Sequence, residues 1–113
     1  MTAPRLTEIA LFTGDVDGLT SFYARVLGLE PSERSSGYAV FTLGELVLRI
    51  HAAVEPTPGD PPAEDHVAFS FKGLDAHAAS LAAAGLELDG PRDLPWGRSA
   101  YLRDPDGRLV ELT

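Results

Sequence analysis

Cysteine is absent from the 113 residues of this chain, which removes disulfides, thiolate metal sites and thiol nucleophiles at once. No apolar run approaches the roughly 20 residues that a membrane-crossing helix needs. The N-terminal stretch MTAPRLTEIA lacks the charged-then-apolar layout of a secretory signal. Basic residues are scarce too: nine Lys and Arg stand against seventeen Asp and Glu, a formal charge of −8. Such a chain repels phosphate backbones and anionic lipid headgroups. The sequence therefore predicts a soluble, cytoplasmic protein whose partners include neither nucleic acid nor membrane.

What is present is an ordinary apolar fraction of 44% in a length that suits a single domain. The most informative stretch is residues 97–113, GRSAYLRDPDGRLVELT. Its Asp104-Pro105-Asp106-Gly107 joins a Pro that fixes φ to a Gly that accepts positive φ, so the stretch reads as a β-hairpin. Alternation in its last strand puts Leu109, Glu111 and Thr113 on one face and Arg108, Val110 and Leu112 on the other. Glu111 is aimed away from two apolar neighbours.

Residues 5–13 alternate as a strand, and Asp15 is placed to cap a helix whose Val16, Leu19, Phe22, Tyr23, Val26 and Leu27 recur at three- and four-residue spacing. Gly28 supplies the stop. Strands are predicted over 29–34, 38–43 and 45–51. Four of the nine prolines fall in AAVEPTPGDPPAE, too many for a helix or central strand, which makes 53–64 a linker. The same order then begins again, with a strand at 66–72, an Ala-rich helix at 74–84, a short strand at 86–88 and the hairpin. Glu8-Ile-Ala-Leu aligns with His66-Val-Ala-Phe, and Val16-Asp17 with Leu74-Asp75, at one common offset. The chain reads as an internal duplication, one domain made of modules 1–52 and 65–113, in which Glu8 and His66 hold equivalent places.

FYARVLGLE at 22–30, DHVAFSF at 65–71, LAAAGLEL at 81–88 and YLRDPDGRLVEL at 101–112 together resemble the vicinal oxygen chelate superfamily. That group includes glyoxalase I, extradiol dioxygenases, methylmalonyl-CoA epimerase and bleomycin resistance proteins. The resemblance implies an α+β fold of two βαβββ modules whose strands form a curled mixed sheet. It also implies ligands for a divalent ion (Mn, Fe, Co, Ni or Zn), with no organic cofactor, at Glu8, the 49–51 region, His66 and Glu111. Two positions depart from the family pattern. Glu8 stands where members carry His, and Arg49 where glyoxalase-like members carry a carboxylate or Gln, with His51 on the same face as a substitute.

One or two imidazoles with two carboxylates suit an open divalent centre that holds neighbouring substrate oxygens as a Lewis acid. Glu8 serves such a centre either as ligand or as a catalytic carboxylate that moves a proton. The competing arrangement pairs Glu8 with Arg49 and needs no ion. Arg49 left unpaired favours an anionic ligand. Trp96, Tyr38 and Tyr101 are candidates for an aromatic substrate lining. Two functions compete: a metal-dependent lyase, isomerase or dioxygenase acting on a small substrate with adjacent oxygens, and a metal-free protein that sequesters a small molecule. A homodimer is expected in either case. Loss of Glu111 is expected to remove metal and leave the fold intact.

Overall fold

Each half of the sequence folds as strand, helix and three further strands. The computed structural model describes residues 3–113. The first module holds β1 (Arg5–Thr13), α1 (Val16–Leu27), β2 (Glu33–Arg34), β3 (Tyr38–Leu43) and β4 (Leu46–Ala52). The second holds β5 (His66–Ser70), α2 (Leu74–Ala83), β6 (Asp89–Leu94), β7 (Gly97–Arg103) and β8 (Leu109–Leu112). This is the α+β class, two βαβββ modules with mixed strand pairing. The chain packs as two compact units, Glu8–Asp65 and His66–Thr113, the second also taking the start of β1 through Thr7.

In the unit Glu8–Asp65 the strand order is β2-β3-β4-β1, with β3 antiparallel and β1 parallel to β4. Helix α1 starts where the Asp15 carboxylate accepts the Gly18 N–H at 3.0 Å and stops at Gly28, whose φ of 70° only glycine adopts readily. Val16 and the partly buried Leu19, Tyr23 and Leu27 pack on Ala39, Phe41, Leu48 and Ile50. Phe22 and Val26 match the same periodicity yet stay exposed, because the helix turns its 16-19-23-27 stripe to the strands. Strand β2 is two residues long rather than six. Pro31 has no N–H to pair, and the Ser32 N–H and hydroxyl both go to the Val40 carbonyl, at 2.7 and 3.1 Å. Beyond the linker, Asp65 accepts the Phe12 N–H at 2.8 Å and closes the unit.

In the unit holding His66–Thr113 the order is β5-β8-β7-β6, with β8 parallel to β5 and antiparallel to β7. Its buried apolar residues are Ala68 and Leu109 on the face of Glu111 and Ala100 and Leu112 on the other, with Ala78 on α2. The predicted hairpin is present, its turn held by the Asp104 carboxylate, which accepts the N–H groups of Asp106 and Arg108 at 2.9 and 2.8 Å. The short strand expected at 86–88 does not form, because the Leu86 N–H turns back to the Leu81 carbonyl at 3.1 Å. Pairing begins instead at Asp89 and runs to Leu94, with a register shift between Asp89 and Arg92 that accommodates Pro91. Gly90, at φ 97°, is needed there because a Cβ would come within 2.8 Å of the Ser99 carbonyl oxygen.

Candidate functional site

Strand β8 is flanked on both sides, so Glu111 has a register partner on each: Ala68 on β5 and Tyr101 on β7. Register partners share a sheet face, and alternation adds His66 and Ser99 to it. Ala68 offers only a methyl group opposite Glu111, so His66, two residues back, reaches across the diagonal. Its Nε2 lies 3.4 Å from Glu111 Oε1. From the other side the hydroxyls of Ser99 and Tyr101 both donate to Glu111 Oε2, each at 2.9 Å. The Tyr101 ring stands edge-on to the imidazole, with centroids 6.3 Å apart and planes at 80°. The side chains of His66 and Glu111 are only 9% and 7% exposed.

Burial pushes the Glu111 carboxyl up, but the combined hydrogen bonds of His66, Tyr101 and Ser99 outweigh it and hold the group below its ordinary value. Glu111 is therefore a carboxylate at neutral pH. A carboxylate stripped of water without partners would lose several kcal/mol, whereas each hydrogen bond to a charged group returns about 1.5–3 kcal/mol. Three converging donors are enough to keep it ionised.

Glu8 and Arg49 form the corresponding pair in the other unit. Ala10 is the register partner of Arg49, and Arg49 Nε donates to Glu8 Oε1 at 3.3 Å across the same diagonal. Their side chains are 23% and 39% exposed. His51 shares that face but is engaged elsewhere, with Nδ1 2.8 Å from the Ala52 carbonyl oxygen and its ring 5.1 Å from that of Phe12. Tyr38 is the register partner of His51, and Trp96 stands 62% exposed in the turn between β6 and β7. Of the predicted residues, then, the structure joins His66, Glu111 and Tyr101 in one cluster and Glu8 with Arg49 in another.

Among the described residues no three His, Cys, Asp or Glu side chains converge as a cation cage. His66 and Glu111 nevertheless fit two positions of a divalent ion. They present an imidazole nitrogen and a carboxylate oxygen 3.4 Å apart, close to the separation of two donors that each sit about 2.1 Å from a tetrahedral centre. Glu8 and His51 already have other partners. Ser99 was not among the predicted residues. Its one signal in the sequence is a two-residue spacing from Tyr101, which puts it on the Tyr101 face of a strand.

Comparison with known proteins agrees with this architecture. The mycobacterial protein from Mycobacterium bovis provisionally named glyoxylase CFP32 is 36% identical over 108 residues, an alignment that takes in 90% of this chain and 41% of that protein. The chain thus spans less than half the length of that relative. A variant of methylmalonyl-CoA epimerase from Streptomyces coelicolor, solved with 2-nitronate-propionyl-CoA, superposes with a TM-score of 0.69 at 25% identity, covering 98% of this chain and 94% of the epimerase. A superfamily member from Vibrio splendidus shares the fold at 18% identity and a TM-score of 0.68, covering 97% of each chain. Residues 5–112 match the profile of the Glyoxalase/Bleomycin resistance protein/Dioxygenase superfamily, and the chain belongs to that family.

Proposed function

We propose that the chain is an enzyme of the isomerase, epimerase or lyase type that uses His66 and Glu111 to hold a divalent ion and acts on a small substrate with adjacent oxygens. The observation that carries this reading is a buried, ionised carboxylate with one oxygen fixed by two hydroxyls and the other set beside an imidazole nitrogen. Family membership and the likeness to an epimerase solved with a CoA ligand support it. An ion bound there would supply Lewis-acid polarisation of substrate oxygens. The chain does the rest. His66 would offer Nε2 once its proton is displaced, Glu111 would offer Oε1, and Ser99 and Tyr101 keep Oε2 occupied. Near-complete burial of the pair lowers the local dielectric, which strengthens every charge interaction made there. The proposed ligand set is narrower than the sequence implies, since Glu8 is left to Arg49 and His51 to the Ala52 carbonyl.

A metal-free protein that binds a small molecule is the second reading. The contact of Arg49 with Glu8 favours it, because a guanidinium at the position equivalent to Glu111 already supplies the cation beside the carboxylate. In either case we take the functional form to be a homodimer, supported by Phe22 and Val26, which stand 57% and 61% exposed one turn apart on α1.

Metal content decides between the readings. Untagged protein purified without chelators, incubated with Mn²⁺, Co²⁺, Ni²⁺ or Zn²⁺ and desalted, is expected to retain about one ion per site by plasma mass spectrometry. His66→Ala and Glu111→Ala should each lose it. Wild-type protein that retains none would overturn the metal reading in favour of the second.

A further inference from the structure

The two oxygens of Glu111 are treated unequally. Both hydroxyls on the site face of β7 donate to Oε2, and Oε1 is left to His66 Nε2 alone. Balanced satisfaction of a buried carboxylate needs no such asymmetry, since one donor on each oxygen removes the same lone-pair deficit. The arrangement fixes the rotation of the carboxylate about its last bond and leaves a single oxygen facing the imidazole.

The backbone maintains this asymmetry. Tyr101 is the register partner of Glu111, so its ring lies beside the carboxylate stem, and Ser99 follows two residues back on the same face. Ser99 is itself held from β6, where Gly90 lets the strand close on the Ser99 carbonyl and the Ala100 Cα. Ser99 is 1% exposed and Tyr101 5% exposed, so water does not compete for either hydroxyl. Tyr101 thus spends its hydroxyl on the carboxylate rather than on a ligand.

We infer that Ser99 and Tyr101 are positioning residues, which tie down Oε2 so that Glu111 presents Oε1 alone, as a one-oxygen ligand beside His66. The inference rests on the proposed role of His66 and Glu111 in holding an ion, but the clamp itself exists without one. Outer hydrogen-bond partners of this kind commonly change metal affinity by about 10- to 100-fold when removed.

Two measurements test it on full-length protein. The first needs no metal: the infrared difference between wild type and Glu111→Gln isolates the carboxylate stretches of Glu111. Tyr101→Phe, which keeps the ring and its packing, and Ser99→Ala should each shift those bands. Bands unmoved in both variants overturn the clamp. The second is Mn²⁺ and Co²⁺ affinity by titration calorimetry. Each variant should bind about 10- to 100-fold more weakly than wild type, with the Co²⁺ absorption spectrum altered. Wild-type affinity and an unchanged spectrum in both variants overturn the positioning role while leaving the metal reading intact. If wild type binds neither ion, the metal reading fails by itself and the infrared result alone decides the clamp.

Discussion

Arg49 reaches Glu8 along the diagonal that joins Glu111 to His66, but with the charges exchanged. In one module the acid stands on the first strand and the base on the last. In the other the imidazole is on the first strand and the carboxylate on the last. A guanidinium stays charged at every physiological pH, so the pair of Glu8 and Arg49 is a permanent ion pair. An imidazole can give up its proton and expose a lone pair, which a guanidinium cannot. Of the two pairs, only that of His66 and Glu111 has the exchangeable proton that the proposed metal role requires.

Glu111→Ala is predicted to destabilise the protein by about 3 kcal/mol in urea unfolding, because it strands an imidazole and two buried hydroxyls. This differs from the expectation drawn from the sequence alone, that loss of Glu111 leaves the fold intact. A loss under about 1 kcal/mol would show that water reaches the cluster and satisfies those groups.

Glu8→Gln should cost less than about 1 kcal/mol, since its partner is more than a third exposed and half-solvated pairs contribute little. A double-mutant cycle with Arg49→Ala in low and in 1 M salt checks this. The coupling should fall as salt rises, and coupling that is large and insensitive to salt would contradict the assignment of a screened, surface-type pair.

Acid should weaken the fold through two carboxylates. Asp104 is held below its ordinary value of 3.8, chiefly by the backbone N–H of Arg108, and Glu111 lies below its own of 4.5 despite its burial. A depressed folded pKa stabilises the protein fully above the unfolded value and is lost as pH falls through the folded one. Melting temperature should therefore hold steady near neutrality and drop once the pH goes below these ordinary values. Asp104→Ala should flatten the lower part of that drop, and an unchanged profile would remove Asp104 from the account.

Gly90→Ala is expected to cost about 1–3 kcal/mol, combining a left-handed backbone that favours glycine with a clash against the Ser99 carbonyl. Because the clash pushes on β7, the variant should also disturb the Glu111 carboxylate bands. Destabilisation without that spectral change would separate the fold of β6 from the site.

The parts legible in the sequence were those with local signals. Asp15 and Gly28 bracket α1, Asp104 to Gly107 close the hairpin, and the repeated strand openings at Glu8 and His66 reveal the duplication. Strand β6 was expected at 86–88 and forms at Asp89–Leu94 instead, because pairing with β7 and a bulge, not a local signal, decide its position. Strand β2 shrank because Pro31 removes a ladder donor. Phe22 and Val26 followed a helical period yet face outward. His66, Glu111 and Tyr101 were legible as candidates through alternation and resemblance. Ser99 was not, since its spacing from Tyr101 marks only its face, and only the register with β8 shows what its hydroxyl touches.

Ala10 and Ala68 occupy equivalent rungs, each directly across from the long polar residue of the last strand of its module. A methyl at that rung is what allows a side chain two residues away to lean over and make contact. For protein engineering this separates chemistry from architecture: one strand register accepts a guanidinium with a carboxylate or an imidazole with a carboxylate. Putting Val at position 68 would close the gap, making the smallest residue in the cluster the one that decides whether His66 and Glu111 meet.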